Sequence, residues 1–94
     1  MPAVKRILLD ILKPHHPNAL DLAQAIAALR ADYRVSLKVT AVDEKTESAE
    51  LVVEGDAIEF DGIKEAIASM GGTIHSVDGV EVSGSPTEPP AKGS

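Results

Sequence analysis

The chain has 94 residues and a formal net charge of −6, with no cysteine, no tryptophan, one tyrosine (Tyr33) and one phenylalanine (Phe60). That length is one domain, and the near-absence of aromatic residues requires an aliphatic core of Ile, Leu, Val and Ala. Without cysteine, disulfides, thiolate metal centres and a cysteine nucleophile are excluded. The acidic balance argues against a nucleic-acid partner.

No apolar run is long enough to span a membrane. The run from Val4 to Leu12 is short and broken by Lys5, Arg6 and Asp10, which does not fit a leader peptide. The expected compartment is the cytoplasm, with no membrane partner. Charge is unevenly spread. Residues 1–42 carry a net +3, residues 43–61 a net −7 and residues 62–94 a net −2. Such a run is either a solvated acidic segment, a cation site, or one side of a contact between identical subunits.

Residues 4–12 alternate as a strand with apolar residues on both faces: Ile7, Leu9 and Ile11 on one, Leu8 and Leu12 with Asp10 on the other. Both faces being apolar marks a central strand. Lys13-Pro14-His15-His16-Pro17 is expected to end it, since proline cannot donate to a ladder. Asn18 or His16 can cap a helix over 18–31, with Leu22, Ile26 and Leu29 on its inner face. Residues 33–43 alternate as a second strand, with Val35, Leu37, Val39 and Ala41 on one face. Residues 44–48 form a turn, and 49–54 return as a third strand. A second helix runs from Glu59 or Gly62 to Met70, with Phe60, Ile63, Ile67 and Met70 as its buried stripe. Asp56 with Glu59, or Asp61, is its expected cap, and Gly71-Gly72 its stop. Residues 73–78 and 80–82 form the last strand, with Gly79 as a bend or bulge. The domain is expected to close at residue 83, leaving 84–94, rich in Pro, Gly and Ser, as a disordered tail.

The order is βαββαβ. Both helices have one apolar face, so both cover the same side of one sheet. Right-handed crossovers then give an antiparallel sheet of order 4-1-3-2, which is the α+β ferredoxin-like sandwich. The other sheet face is expected to expose Leu8, Leu12, Val42, Val52 and Val77 around Asp10. Contiguous apolar surface of that kind marks a contact, and the expected partner is the chain itself.

Fold does not fix chemistry, so the residues must. The middle strands lack the aromatics that stack bases in RNA-binding versions of this fold. No phosphate-binding GxxxxGK[ST] loop is present. Ser76, His75 and Asp10 lack any elbow or oxyanion motif around them, and no catalytic residue is assigned. His15 and His16 act either as turn and capping residues or as imidazole ligands of a borderline metal. His75 and Asp10 are expected together on the open sheet face. They form either a satisfied polar pair at a subunit contact or a couple that binds a ligand or metal, the carboxylate orienting the ring. Asp43 and Glu44, with Glu47, Glu54, Asp56, Glu59 and Asp61, offer oxygen ligands suited to a hard divalent cation, calcium or magnesium. Asp78 either joins the ligand-binding couple or starts a turn.

The segments LLDILKPHHP (Leu8–Pro17), VDEKTE (Val42–Glu47), EFDGIKEAI (Glu59–Ile67) and GGTIHSVD (Gly71–Asp78) together resemble the small archaeal family known as domain of unknown function 211, across residues 4–82. The resemblance implies a ferredoxin-like fold, a cytoplasmic archaeal protein and ring-like homo-oligomers. It implies no activity and no catalytic residues. Its pattern draws attention to Asp10, Lys13, Pro14, His15, Gly72, His75, Ser76 and Asp78. The chain departs from the family pattern at His16 and Gly79, where an acid is usual.

Three functions are therefore open. The first is a non-enzymatic homo-oligomer with cation or small-ligand sites at subunit contacts. The second is a regulatory module that binds a small metabolite. The third is a metal-dependent enzyme using Asp10 and His75.

Overall fold

The computed structural model of the chain describes residues 2–84. The elements are β1 (Ala3–Pro14), α1 (Ala19–Ala27), β2 (Arg34–Val42), β3 (Thr46–Glu54), α2 (Phe60–Ser69) and β4 (Thr73–Ser83). The four strands form one sheet of order β2-β3-β1-β4 in which every pairing is antiparallel. This is the α+β ferredoxin-like order expected from the sequence. The tail expected over 84–94 lies, beyond Gly84, outside the described residues.

The helices have nine and ten residues, too short to persist alone in water. Packing therefore holds them. Leu22 and Ile26 of α1, and Ile63 and Ile67 of α2, are buried against Ile7, Leu9 and Ile11 of β1 and Ala49, Leu51 and Val53 of β3. Burying each large aliphatic side chain stabilises by about 1.5–3 kcal/mol, more than any helix propensity in so short a segment. Asn18 caps α1 as expected, its Oδ1 accepting the Asp21 N–H at 2.8 Å. At α2 the expected acidic cap does not form, because Glu59 makes no side-chain capping bond. The start of α2 is instead tied to the α1–β2 turn. Tyr33 Oη accepts the Glu59 N–H at 2.9 Å, and Asp32 Oδ2 accepts the Asp56 N–H at 2.7 Å. That bond holds the Asp32 carboxyl below its usual range. Gly55 belongs to this junction: a Cβ there would lie 2.9 Å from the Tyr33 ring. Gly71 ends α2 at φ 85°, the left-handed conformation that glycine adopts at helix stops.

Four register shifts, one of them an extra Lys5 on β1 opposite Val82 and Glu81, decide which residues share a face. Directly opposed residues of an antiparallel pair point the same way, so register reads out orientation. In β2 the register slips between Val39 and Ala41, leaving Thr40 unpaired. Ala41 then opposes Ser48, while Val42 opposes Glu47 and turns to the helix side. In β4 the register slips at His75 and again at Asp78, so Val77 opposes Leu9 and Val80 opposes Ile7, both on the helix side. The expected placement of Val42 and Val77 on the open face is thus corrected. An unbroken alternation would have put them there, and each bulge inserts one residue that reverses it. Gly79, expected as a bend or bulge, is paired with Leu8, and the inserted residue is its neighbour Asp78.

The open face is accordingly less apolar than alternation implies. From β2 to β4 its rows read Arg34–Glu54–Arg6–Glu81, then Ser36–Val52–Leu8–Gly79, then Lys38–Glu50–Asp10–Ser76, then Ala41–Ser48–Leu12–Thr73. The second row is mainly apolar, the last mixes Ala41 and Leu12 with Ser48 and Thr73, and the Arg6–Glu54 ion pair at 3.4 Å lies in the first.

Candidate functional site

The one buried charged side chain among the described residues is Lys13, 2% exposed. Alternation along β1 puts it on the helix side, in line with Ile7, Leu9 and Ile11. Glu47 takes the matching position on β3, below Ala49, and the two are directly opposed. Lys13 Nζ donates to Glu47 Oε1 at 2.9 Å and to the Pro14 carbonyl at 2.7 Å. The apolar lysine stem extends the core, and the ammonium finds partners at its end. The second carboxylate oxygen of Glu47 lies 3.1 Å from His15 Nδ1, and His15 Nε2 lies 3.0 Å from the Glu44 carbonyl. The hydrogen bond from Lys13, then that from His15, holds the Glu47 carboxyl below the usual glutamate range. The bond to Glu47, then that to the Glu44 carbonyl, raises the pKa of His15. A depressed carboxyl stabilises the fold above its unfolded value, about 4.5, and that contribution fades as pH falls through the folded value.

The expected Asp10 and His75 do come to one place. With Ile11, Leu12 and Ser48 they line an open-face depression of about 280 Å³. His75 reaches it from a bulge, and among the described residues no hydrogen bond joins it to Asp10. Asp10 is half-buried and His75 exposed. Asp78, the second bulge residue, is exposed and accepts the Ser76 hydroxyl at 2.7 Å.

The residues expected to ligate a cation are spread over several regions. His15, Asp43 and Glu44 gather at the end of the β2–β3 hairpin, with His16 exposed beside them; Asp10 and His75 lie on the open face. Among the described residues no three His, Asp or Glu side chains are grouped to hold a metal ion. At the hairpin end both His15 nitrogens are already engaged, and Glu44 contributes its carbonyl. The sequence named Glu47 only among the acids offering oxygen ligands, not as a partner of Lys13, and Lys13 only through the family pattern. Their signal was available: each continues the alternation of its strand's core face, so two opposite charges fall opposite one another at the core's end.

A second surface feature lies along β4. Val77, Val80 and Val82 are 50%, 58% and 52% exposed, only partly covered on the helix side of the sheet. Val77 and Val80 border an apolar groove of about 200 Å³ completed by Val4, Ile7 and Phe60. β4 is also an edge strand, with one side unpaired among the described residues. No helix among the described residues is long and apolar enough to cross a membrane.

Sheet order and two short helices on one side define a ferredoxin-like fold over the described residues. A family model, domain of unknown function 211, described as an uncharacterized ArCR, matches residues 5–87. The chain is also similar to the uncharacterized protein MJ0319 of Methanocaldococcus jannaschii, 44% identical over 80 residues, which cover 85% of this chain and 82% of that protein. The chain belongs to the domain of unknown function 211 family.

Proposed function

We propose that the protein acts as a homo-oligomer assembled through β4, a binding or structural component of the cytoplasm. The observation that carries this reading is the valine wing: three half-exposed valines on an edge strand, beside an all-apolar groove. An exposed apolar edge recruits further strands unless it is covered. The bulges at His75 and Asp78 disrupt the first half of β4; from Gly79 to Ser83, where Val80 and Val82 lie, the remaining shift inserts Lys5 of β1 rather than a residue of β4. A second copy is the occupant that fits. It brings an aliphatic wing of the same composition, and a 94-residue domain gains stability from the shared burial. The contact is carried by β4, and the mostly polar open face stays free of it. Val80→Asp is expected to convert the assembly to monomers in light scattering while circular dichroism stays native. Val42→Asp, equally apolar and exposed at the far edge, leaves the mass unchanged. An unchanged mass in Val80→Asp removes β4 from the contact.

The open-face depression supports a second, compatible reading as a small-ligand site, because it gathers Asp10, Ser48 and His75 in one hollow. One carboxylate as its charged group favours a cationic ligand, a divalent ion or a small amine. Calcium, magnesium or a diamine at millimolar concentration is expected to raise the melting temperature of the wild type but not of Asp10→Asn. Equal shifts in both proteins would remove the site.

A further inference from the structure

We propose that His15 is a protonation latch: as an imidazolium it clamps the loop after β1 to the β2–β3 turn, and on losing a proton it releases that turn. The two ring nitrogens face two different acceptors, Glu47 Oε2 at 3.1 Å and the Glu44 carbonyl at 3.0 Å. A carbonyl has no hydrogen to give. Glu47 is kept as a carboxylate by Lys13, which donates to its other oxygen. A neutral imidazole has one N–H and one lone pair, so it satisfies one acceptor and turns a lone pair toward the other. Only the doubly protonated ring makes both bonds.

The surroundings agree on the sign. From β1 the charged neighbour is Lys13, whose positive charge opposes that of the ring but is matched by Glu47. From β3 it is Glu47. The turn supplies the Glu44 carbonyl and the exposed side chains of Asp43, Glu44 and Lys45. The loop itself adds His16, which is exposed, and the residue that meets Pro14 from the α2–β4 turn is the uncharged Gly71. His15 has its pKa raised, first by the bond to Glu47 and then by the Glu44 carbonyl. A raised pKa means that the latch contributes fully below the unfolded value of about 6.5 and is lost as pH rises through the folded value. Glu47 sets the opposite limit, so the cluster is at full strength between about 4.5 and 6.5. The next rung of the ladder, Leu12–Ser48, lines the open-face depression, so the latch adjoins that hollow.

The test is a nitrogen-15 NMR titration of the histidine rings in the full chain, with His15 assigned from His15→Gln. The expected result is a His15 midpoint above 6.5, both ring nitrogens protonated below it, and a lower midpoint in Glu47→Gln. Amide exchange at Glu44 to Thr46 should speed up several-fold across the midpoint, beyond the ordinary effect of base, in wild type but not in His15→Gln. A wild-type midpoint at or below 6.5 overturns the latch, and so does exchange that changes identically in both proteins. If Glu47→Gln fails to fold, the wild-type midpoint and the exchange comparison still decide.

Discussion

Leu9→Ala is expected to lower the stability of the folded chain by about 2–5 kcal/mol, the range for truncating a large core side chain. Leu9 is fully buried at the centre of β1, between strands β3 and β4 and under both helices. In a domain of this size each kcal/mol moves the melting temperature by about 4–8 °C, so a fall of roughly 10 °C or more should appear in a thermal scan. The scan must be run at one protein concentration, because assembly makes melting concentration-dependent. A fall of less than 3 °C or so would mean that the core is centred elsewhere.

The second large effect is expected at Lys13, whose stem and ammonium can be tested separately. Lys13→Ala removes three buried methylenes, worth roughly 2 kcal/mol at about 0.8 kcal/mol each, and also strands the Glu47 carboxylate without its main partner. Lys13→Met keeps most of the stem and discards only the charge, so it should fall between wild type and Lys13→Ala. Both variants should change the acid limb of the stability curve. In wild type Glu47 is held low by Lys13, so its contribution to stability is lost as pH falls from about 4.5 through the lower folded value. Without the ammonium the folded value lies nearer the unfolded one, so that loss on acidification should be smaller. Urea titrations across the acidic range measure both effects. An acid limb identical in all three proteins would mean that Lys13 does not stabilise the charged form of Glu47.

Most of the architecture was legible in the chain because it depends on periodicity. The two-sided apolar pattern of residues 4–12 marks the central strand, and the stripe of Ile63 and Ile67 marks the inner face of α2. Topology then comes from the handedness of crossovers. The bulges were not legible. Thr40, His75 and Asp78 are ordinary strand residues, and they become insertions only because the opposing strand has one fewer residue at that point. Each one reverses the facing of the strand residues beyond it, which is why Val42 and Val77 leave the open face. This also moves the exposed apolar surface from the open side of the sheet to the wing beside α2. Strand lengths erred for a related reason. Pro14 joins β1 as its last residue, opposite Thr46, where a missing N–H costs least.

The candidate sites divide along the same line. Asp10 and His75 were brought together by strand order, which the sequence supports, so their shared hollow was foreseeable. The Lys13–Glu47 pair was readable from alternation. The clasp of His15 on the Glu44 carbonyl was not, because it depends on the path of the loop through Pro14 and His16.

The mass of the folded chain in solution bears most directly on assembly through β4. Light scattering at micromolar concentration should give a multiple of 9.8 kDa, reduced to one subunit by Val80→Asp. A single 9.8 kDa species in the wild type, with the valines of β4 open to solvent, would contradict it.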